Sequence, residues 1–518
     1  MNLHETGRGD APPRFPVALV GAGPGHPGLL TLRAADCLAQ ADLVLYDRLV
    51  PDGLLVHAPE SAEVVCVDEF PGCHPGRAAH VHDAMIAAAR LGRRVVRLKG
   101  GDPLVFGRGG EEAEALRAAG VEYEIVPGVT AALGAAAFAG MPLTDRRYAS
   151  AAAFVTGHSQ DGDPGGLDWA ALARFPGTLV FYMAAAQLPN IARRLLDHGL
   201  APGTPAAAVQ WATTGRQRVA AAPLSGLADA ARAAGLKAPA VVVVGEAAAR
   251  HGRLAWFEKL PLFGKRVLVT RPSGQAADMV RRLEALGAVV YQLPAVEVRE
   301  PADWGPVDRA LAALSAYQWV VFTSANGVHF FLRRLRASGR DVRALGGARL
   351  AVIGPATADA LRTYHLEPDL VPPEYRSESL AAVLKERAAG QRVLLARADR
   401  GRDLLREELA PVAQVDQIAV YSQVDAVEMD LELLEQVSQG KIDFITLTSS
   451  KIAESLVRML DPAARQRVRS GEVRLVTISP VTSAAVRKLG LPVAAEAGEY
   501  TAEKVVEALA ALAARPPG

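Results

Sequence analysis

Two glycine-rich turns hold the residues best suited to receive a small cofactor. The stretch Val96–Gly110 reads VRLKGGDPLVFGRGG, a strand rich in Val, Arg and Leu that runs into Gly100, Gly101, Asp102 and Pro103. Glycines at that point let the backbone approach a ligand closely, and the Asp and Pro that follow set a tight turn. The other turn, GAGPGHPG, places Gly23, Gly25 and Gly28 in G-x-G-x-x-G register. Asp47 ends the next strand, LVLYD, roughly twenty residues on, where the ribose-binding acid of a nicotinamide enzyme belongs. Pro24 and Pro27 count against that reading, because each removes an amide that would face a pyrophosphate. His74, His80 and His82 lack a Cys/His framework, and a closed metal site needs four convergent ligands, so no metal is expected.

The elements that must position these turns repeat along the chain. VALVGAG, RVVRLKGG, TLVFYMAA, RVLVTRP, WVVFTSA, RLAVIGP and RVLLARA are short β-branched strands, each followed by a turn and an Ala/Leu/Arg helix. That alternation predicts α/β domains with largely parallel sheets and ligands at the carboxyl ends of the strands. Between the strands VVVVGE and RVLVTR lies AAARHGRLAWFEKLPLFGK, which contains no complete element; the division is placed near Leu262. Trp256 and Phe257 mark this connector as packed, not floppy. The second half contains an internal repeat. FTSANGVHFF matches LTSSKIAESL, and VIGPATADALR matches TISPVTSAAVR, with Thr323, Pro355 and Thr357 pairing with Thr448, Pro480 and Thr482 at one common offset. Two similar lobes imply a cleft between them.

Five ordered segments of the first half, GAGPGHPGLLTLRA, YDRLV, RLKGGDPLVFGRGGEE, VPGVTAA and VQWATTGRQR, together with PAVVVVGE, resemble the uroporphyrinogen-III C-methyltransferases of the tetrapyrrole methylase family. The resemblance covers roughly residues 15–260. It implies two α/β subdomains and transfer of methyl groups from S-adenosyl-L-methionine to two ring carbons of uroporphyrinogen III, giving precorrin-2. The matching positions imply cofactor contacts from Pro24, Gly100, Gly101, Asp102, Val105, Thr130, Ala131, Met183, Ala212 and Ala240. Asp47 matches a family carboxylate proposed as a general base; the plainer reading is a strand-end Asp that caps the next turn. The chain departs from the family at VDEFPGCH, where Glu69 stands at the position of a proposed proton-donating Lys and Phe70 at that of an Arg. Ala78 and His82 replace a usual Gln and Asn, and His26 replaces a common Asp.

In the second half GKRVLVTRP, WVVFTSANGVHFF, LAVIGPATADAL, RVLLARADRGRDLLREEL, VDQIAVYSQV and EYTAEKVVEAL resemble uroporphyrinogen-III synthase over roughly residues 263–515. The resemblance implies two α/β lobes with a two-stranded connector, one lobe from 263–298 plus 425–515 and the other from 299–424. It implies closure of hydroxymethylbilane to uroporphyrinogen III with loss of water and no cofactor. Tyr421 matches the family's proposed acid, and its plainer reading is a half-buried strand aromatic. Thr323, Ser324, Ser449 and Thr482 lie at turns whose hydroxyls and amides suit carboxylates, and Arg271, Arg397 and Arg402 are candidate charge partners. Ser479 departs from the usual Gly of its turn.

The bulk composition excludes other classes. A formal net charge of +1 over 518 residues gives no broad basic field for nucleic acid. Cys37, Cys66 and Cys73 are too few for a disulfide framework, which fits a reducing cytosol. Residues 1–14 read as a disordered tail without a signal core, and Val129–Met141 is too short to span a bilayer. The expected protein is soluble and cytoplasmic, binds no membrane, and forms a homodimer through a methyltransferase half at 15–246, joined by a linker at 247–262 to a synthase half at 263–518. The alternative is a chain with one degenerate half, left monofunctional or regulatory, and Glu69 is the residue that supports it. As a carboxylate ionised near pH 7, Glu69 is expected not to be the essential acid. Glu69→Gln should then retain most methyl transfer; collapse of turnover with cofactor binding intact would refute this.

Overall fold

The computed structural model describes residues 15–69, 79–157, 166–400, 403–425 and 430–514. The expected tail at 1–14 lies outside them, as do Phe70, Cys73, His74, Ala78, Arg402 and the side chain of Glu69. The chain forms two compact units. One ends at Lys265 and takes in 283–289; the other comprises 266–282 and the chain from Val290 onward. Each unit holds two five-stranded sheets, making the whole α/β.

In the first unit, β1 (Val17–Gly21), β2 (Leu43–Tyr46), β3 (Glu63–Cys66), β4 (Val95–Lys99) and β5 (Tyr123–Val126) form a parallel sheet in the order β3-β2-β4-β1-β5. Each residue of β1 and β4 is buried, as a central parallel strand covered on both faces requires. The other sheet contains β6 (Ala152–Thr156), β7 (Thr178–Tyr182), β8 (Pro205–Gln210), β9 (Arg218–Pro223) and β10 (Ala240–Val244), ordered β6-β7-β10-β8-β9. Only β6 and β7 run parallel there. The short turn between β8 and β9 allows only an antiparallel hairpin, since a parallel pair needs a crossover of a dozen or more residues.

The second unit interleaves its sheets along the chain. β11 (Arg266–Val269), β12 (Val289–Gln292) and, after an excursion, β18 (Phe444–Leu447), β19 (Arg474–Thr477) and β20 (Ala495–Glu496) form the order β12-β11-β18-β19-β20. The excursion supplies β13 (Val296–Arg299), β14 (Trp319–Phe322), β15 (Arg349–Val352), β16 (Arg392–Ala398) and β17 (Gln414–Asp425) in the order β13-β17-β16-β14-β15. β13 pairs antiparallel with the last four residues of β17, and that pairing sets it in the second of these sheets. The internal repeat is visible as matching strand–helix units. Helices Ala325–Ala337 and Pro355–Arg362 follow β14 and β15 as Ser450–Met459 and Pro480–Lys488 follow β18 and β19. Among the described residues, no helix is long and apolar enough to cross a membrane.

A tight backbone contact lies in the first unit where the chain leaves β1, β4 and β5. A Cβ built on Gly128 would sit 2.2 Å from the Gly101 carbonyl oxygen and 2.8 Å from the Gly21 Cα, both backbone atoms unable to swing away. Gly128→Ala is therefore expected to lower the melting temperature of this unit markedly, with a loss of about 2–4 kcal/mol. Gly110→Ala, which meets nothing within 4 Å, should be neutral or mildly stabilising. Equal melting temperatures for the two variants would contradict this account.

Candidate functional site

The register Gly21↔Lys99 between β1 and β4 brings their following loops side by side. Gly23 and Gly101 then exchange backbone hydrogen bonds of 3.1 and 2.8 Å. Asp102 fastens a third loop: Oδ1 accepts from the Leu104 N–H at 2.8 Å and Oδ2 from the Gly128 N–H at 3.1 Å. Its carboxylate thus organises the turn as well as lining it. The first glycine turn is not a dinucleotide finger, since Gly28 falls within a 3-10 turn, Pro27–Leu29, and the helix begins only at Leu32. His26 caps that turn, its Nδ1 accepting from the Gly28 N–H at 3.0 Å, and burial lowers its pKa.

The other sheet closes on the same loops. Tyr182, at the end of β7, accepts from the Ala132 N–H at 3.0 Å, and its hydroxyl lies 2.6 Å from Thr130 Oγ1. That pair fixes the start of helix Ala131–Phe138. Gly134 lets Pro24 lie against this helix, because a Cβ there would be 2.6 Å from the proline ring. Phe106 stacks obliquely on Tyr182 with ring centroids 4.9 Å apart. Leu104, Phe106 and Met183 nonetheless leave large apolar surface exposed. Val105, Ala131 and Ala212 pack on the apolar cluster that includes Ala132, Val180 and Val209. Ala240 opens β10 opposite Gln210, one residue before Trp211. Among the described residues, five of the six non-glycine residues at positive φ, namely Phe106, Arg108, Met183, Trp211 and Thr213, sit in these loops. Strained backbone of this kind is found chiefly where a site over-determines it.

Asp47 belongs to a separate network. It is ion-paired through Oδ1 to Arg97, whose Nε also reaches Glu112 Oε1 at 3.0 Å; Lys99 Nζ reaches the same oxygen at 2.8 Å. Arg97, Lys99 and Glu112 are buried, while Asp47 is one-third exposed. Burial works against the Arg97 charge, yet Asp47 and Glu112 hold its pKa above the usual value. Burial and the Arg97 charge push Lys99 down. Breaking a buried pair of this kind costs about 3–5 kcal/mol. Asp47 is therefore more than a turn cap, and its three partners were missed by sequence reasoning. The available signal was Arg97 and Lys99 at alternate positions of a strand otherwise made of Val and Leu.

In the second unit Tyr421 is 3% exposed, and its hydroxyl lies 3.0 Å from Ser324 Oγ. Its ring stacks on Phe330 at 5.7 Å. Burial raises the pKa of the phenol, so it stays protonated through neutral pH. Ser324 also accepts from the Gly327 N–H at 3.0 Å and caps helix Ala325–Ala337, with Thr323 beside it. Ser449 caps helix Ser450–Met459 in the same way. Thr482 lies 3.1 Å from Ser479 Oγ in the first turn of helix Pro480–Lys488. The departure at Ser479 is benign, since its extended backbone suits any residue and its hydroxyl adds a cap that Gly354 lacks at the equivalent helix. Thr323 and Ser324 thus lie at the carboxyl edge of one sheet, Ser449 and Thr482 at that of the other. The arginines differ. Arg397 is committed to Asp403 at 3.2 Å. Arg271 is largely buried, and among the described residues no carboxylate pairs with it. Its Nε has no hydrogen-bond partner, and burial lowers its pKa.

Comparison with known proteins decides the family. The tetrapyrrole (corrin/porphyrin) methylases match residues 16–228, and the uroporphyrinogen-III synthase HemD family matches 277–507. A porphyrin biosynthesis protein HemD of Ruminiclostridium josui is 33% identical over 477 residues, covering 92% of this chain and 94% of its own. The chain belongs to the family of tetrapyrrole methylase–uroporphyrinogen-III synthase fusions. The siroheme synthase of Chromobacterium violaceum is 46% identical over 243 residues, 47% of this chain, and the fusion spans only about half, 52%, of that relative. The uroporphyrin-III C-methyl transferase of Thermus thermophilus, solved with S-adenyl homocysteine, is 41% identical over 45% of this chain and 97% of its own, with a TM-score of 0.39. Within the residues matched by the methylase family lie the glycine loops, the Asp47 network and Tyr182; within those matched by the synthase family lie Tyr421 and Ser324, with Arg271 six residues ahead of that match.

Proposed function

We propose that the chain is a bifunctional enzyme of tetrapyrrole biosynthesis. Its second unit closes hydroxymethylbilane to uroporphyrinogen III, and its first methylates that product twice to precorrin-2. The observation that carries the reading is the convergence, in a methylase-family unit, of strained loops from both sheets on one place. The Ruminiclostridium josui relative, named for porphyrin biosynthesis and matched along nearly its whole length, supports keeping both activities in one chain.

The residues present fit S-adenosyl-L-methionine. Glycine contacts bare the backbone groups of the loops, Thr130 and Ala131 open a helix, and Met183 and Phe106 offer exposed apolar surface for an adenosyl group. Bound there, the cofactor supplies a methyl group already activated on sulfur, so the protein mainly has to hold donor and acceptor in line. Pro24, Gly101, Asp102 and Ala212 set the walls of that cradle. Asp47, held by Arg97, is placed to accept the proton released as the methylated ring rearranges. In the synthase unit no cofactor enters the reading. Tyr421 or its partner Ser324 protonates the departing hydroxyl, and Arg271 with the helix starts at Ser324 and Ser449 receives substrate carboxylates. A cytoplasmic homodimer joined through the methylase unit completes the proposal.

The direct test is to incubate the purified chain with hydroxymethylbilane, with and without S-adenosyl-L-methionine, and identify the tetrapyrroles. Uroporphyrinogen III without the cofactor and precorrin-2 with it are expected. The uninverted isomer alone, or uroporphyrinogen III that is never methylated, would overturn one half or the other. Tyr421→Phe keeps the ring and removes only the hydroxyl. A true acid should then cost about a hundredfold or more in synthase turnover. Nearly full activity would make Tyr421 a packing residue.

A further inference from the structure

The segment that follows β10 does more than join the units. It forms helix His251–Leu254 and a 3-10 turn, Phe257–Lys259, and lies on the far end of helix Ala131–Phe138. A helix leaves its last carbonyls without partners in the helix. Here Trp256 Nε1 donates to the Ala137 carbonyl at 3.0 Å, and His251 Nδ1 lies 2.7 Å from that of Ala139. The Phe138 ring meets Trp256 and Phe257 with centroids 5.2 and 4.8 Å apart.

From Glu258 a chain of hydrogen bonds leads back to the cofactor loops. Gln217, 3% exposed, donates from Nε2 to Glu258 Oε1 at 3.0 Å and accepts at Oε1 from the Thr213 N–H at 3.0 Å. Thr213 Oγ1 accepts from the His26 N–H at 3.0 Å. The partners fix the orientation of the Gln217 amide: turned over, it would set oxygen against the carboxylate and NH2 against the Thr213 N–H. Thr213 is fully buried at φ +71°, a conformation a β-branched residue keeps only under constraint. It adjoins Ala212 and holds the loop that carries Pro24.

We infer that Glu258 is a positioning residue for the S-adenosyl-L-methionine site, acting through Gln217 and Thr213 on the turn at Ala212 and the loop at Pro24. The inference rests on the methyl-transfer reading above. The connector is then a working part of the methyltransferase, and residues 251–259 form the back wall of its cofactor loops. Losing the Glu258 acceptor leaves Gln217 Nε2 only the Phe138 carbonyl at 3.5 Å. The amide can then turn, and Thr213 loses the acceptor that holds its strained backbone.

The test is calorimetry of S-adenosylhomocysteine binding to the full-length chain. Glu258→Ala is expected to raise Kd about tenfold, with KM for S-adenosyl-L-methionine rising, kcat at saturation nearly unchanged and synthase turnover untouched. Glu258→Gln keeps an acceptor oxygen and should recover most of the affinity. Gln217→Glu sets two carboxylates against each other and should match the loss. Combining Gln217→Glu with Glu258→Gln reverses donor and acceptor at the same contact and should restore binding. An unchanged Kd in Glu258→Ala, with or without a lower melting temperature, overturns the inference while leaving methyl transfer standing. A wild-type chain that binds no S-adenosylhomocysteine overturns both.

Discussion

The first unit depends on a place where backbone touches backbone without side chains between. Gly21, Gly101 and Gly128 end or follow three adjacent parallel strands, and only the absence of Cβ atoms lets their loops close to van der Waals contact. Paired amides of Gly23 and Gly101 and the two accepting oxygens of Asp102 then lock the loops in register. Consequences run outward from there. Pro24 reaches Gly134, Thr130 reaches Tyr182, and the second sheet is drawn onto the carboxyl edge of the first. Such a contact suits a ligand held by shape and backbone groups. A sulfonium donor needs little more than orientation.

The two units meet charge in different ways. In the first, buried Arg97, Lys99 and Glu112 and partly exposed Asp47 form a set with no net charge, whose outward face is the Asp47 carboxylate. Taking those ions out of water costs several kcal/mol each, and mutual pairing offsets it. In the second, Arg271 is largely buried with no carboxylate paired to it among the described residues, and capped helix starts lie at the carboxyl edges of both sheets. A largely buried guanidinium whose Nε has no partner is costly in the free protein and is relieved by an anion. That contrast fits the proposed synthase activity, in which a nearly neutral chain would receive a polycarboxylate substrate.

Much of the architecture was legible because it is written in local pattern. Glycine turns after β-branched strands announced the loops, and the matched FTSANG and LTSSKI segments announced the paired strand–helix units. Ser324, Ser449 and Thr482 could be placed at turns from the sequence, and the structure sets those turns at helix starts. What stayed hidden depends on partners far apart in sequence. Arg397 carries the same fork as Arg271, yet Asp403 claims one and no carboxylate claims the other. Glu112 looked like one acid of a GGEE helix start, and only its burial against Arg97 and Lys99 gives it a role. The antiparallel β8–β9 hairpin within an α/β unit was hidden likewise, because the seven residues 211–217 were read as part of a motif and not as the turn between two strands.

The connector shows why a boundary drawn from composition can cut through function. In sequence AAARHGRLAWFEKLPLFGK reads as material between domains, although it forms helix His251–Leu254 and the turn Phe257–Lys259. Its side chains are nonetheless specific: an indole N–H, an imidazole and a carboxylate, each meeting a polar group of the first unit. Buried polar groups must be satisfied wherever their partners lie in sequence. A helix whose start opens on the cofactor loops has to be capped at its end as well, and here the connector supplies that cap. The first unit accordingly extends to Lys265. Through His251, Trp256 and Glu258 the chain packs against the first unit before leaving it.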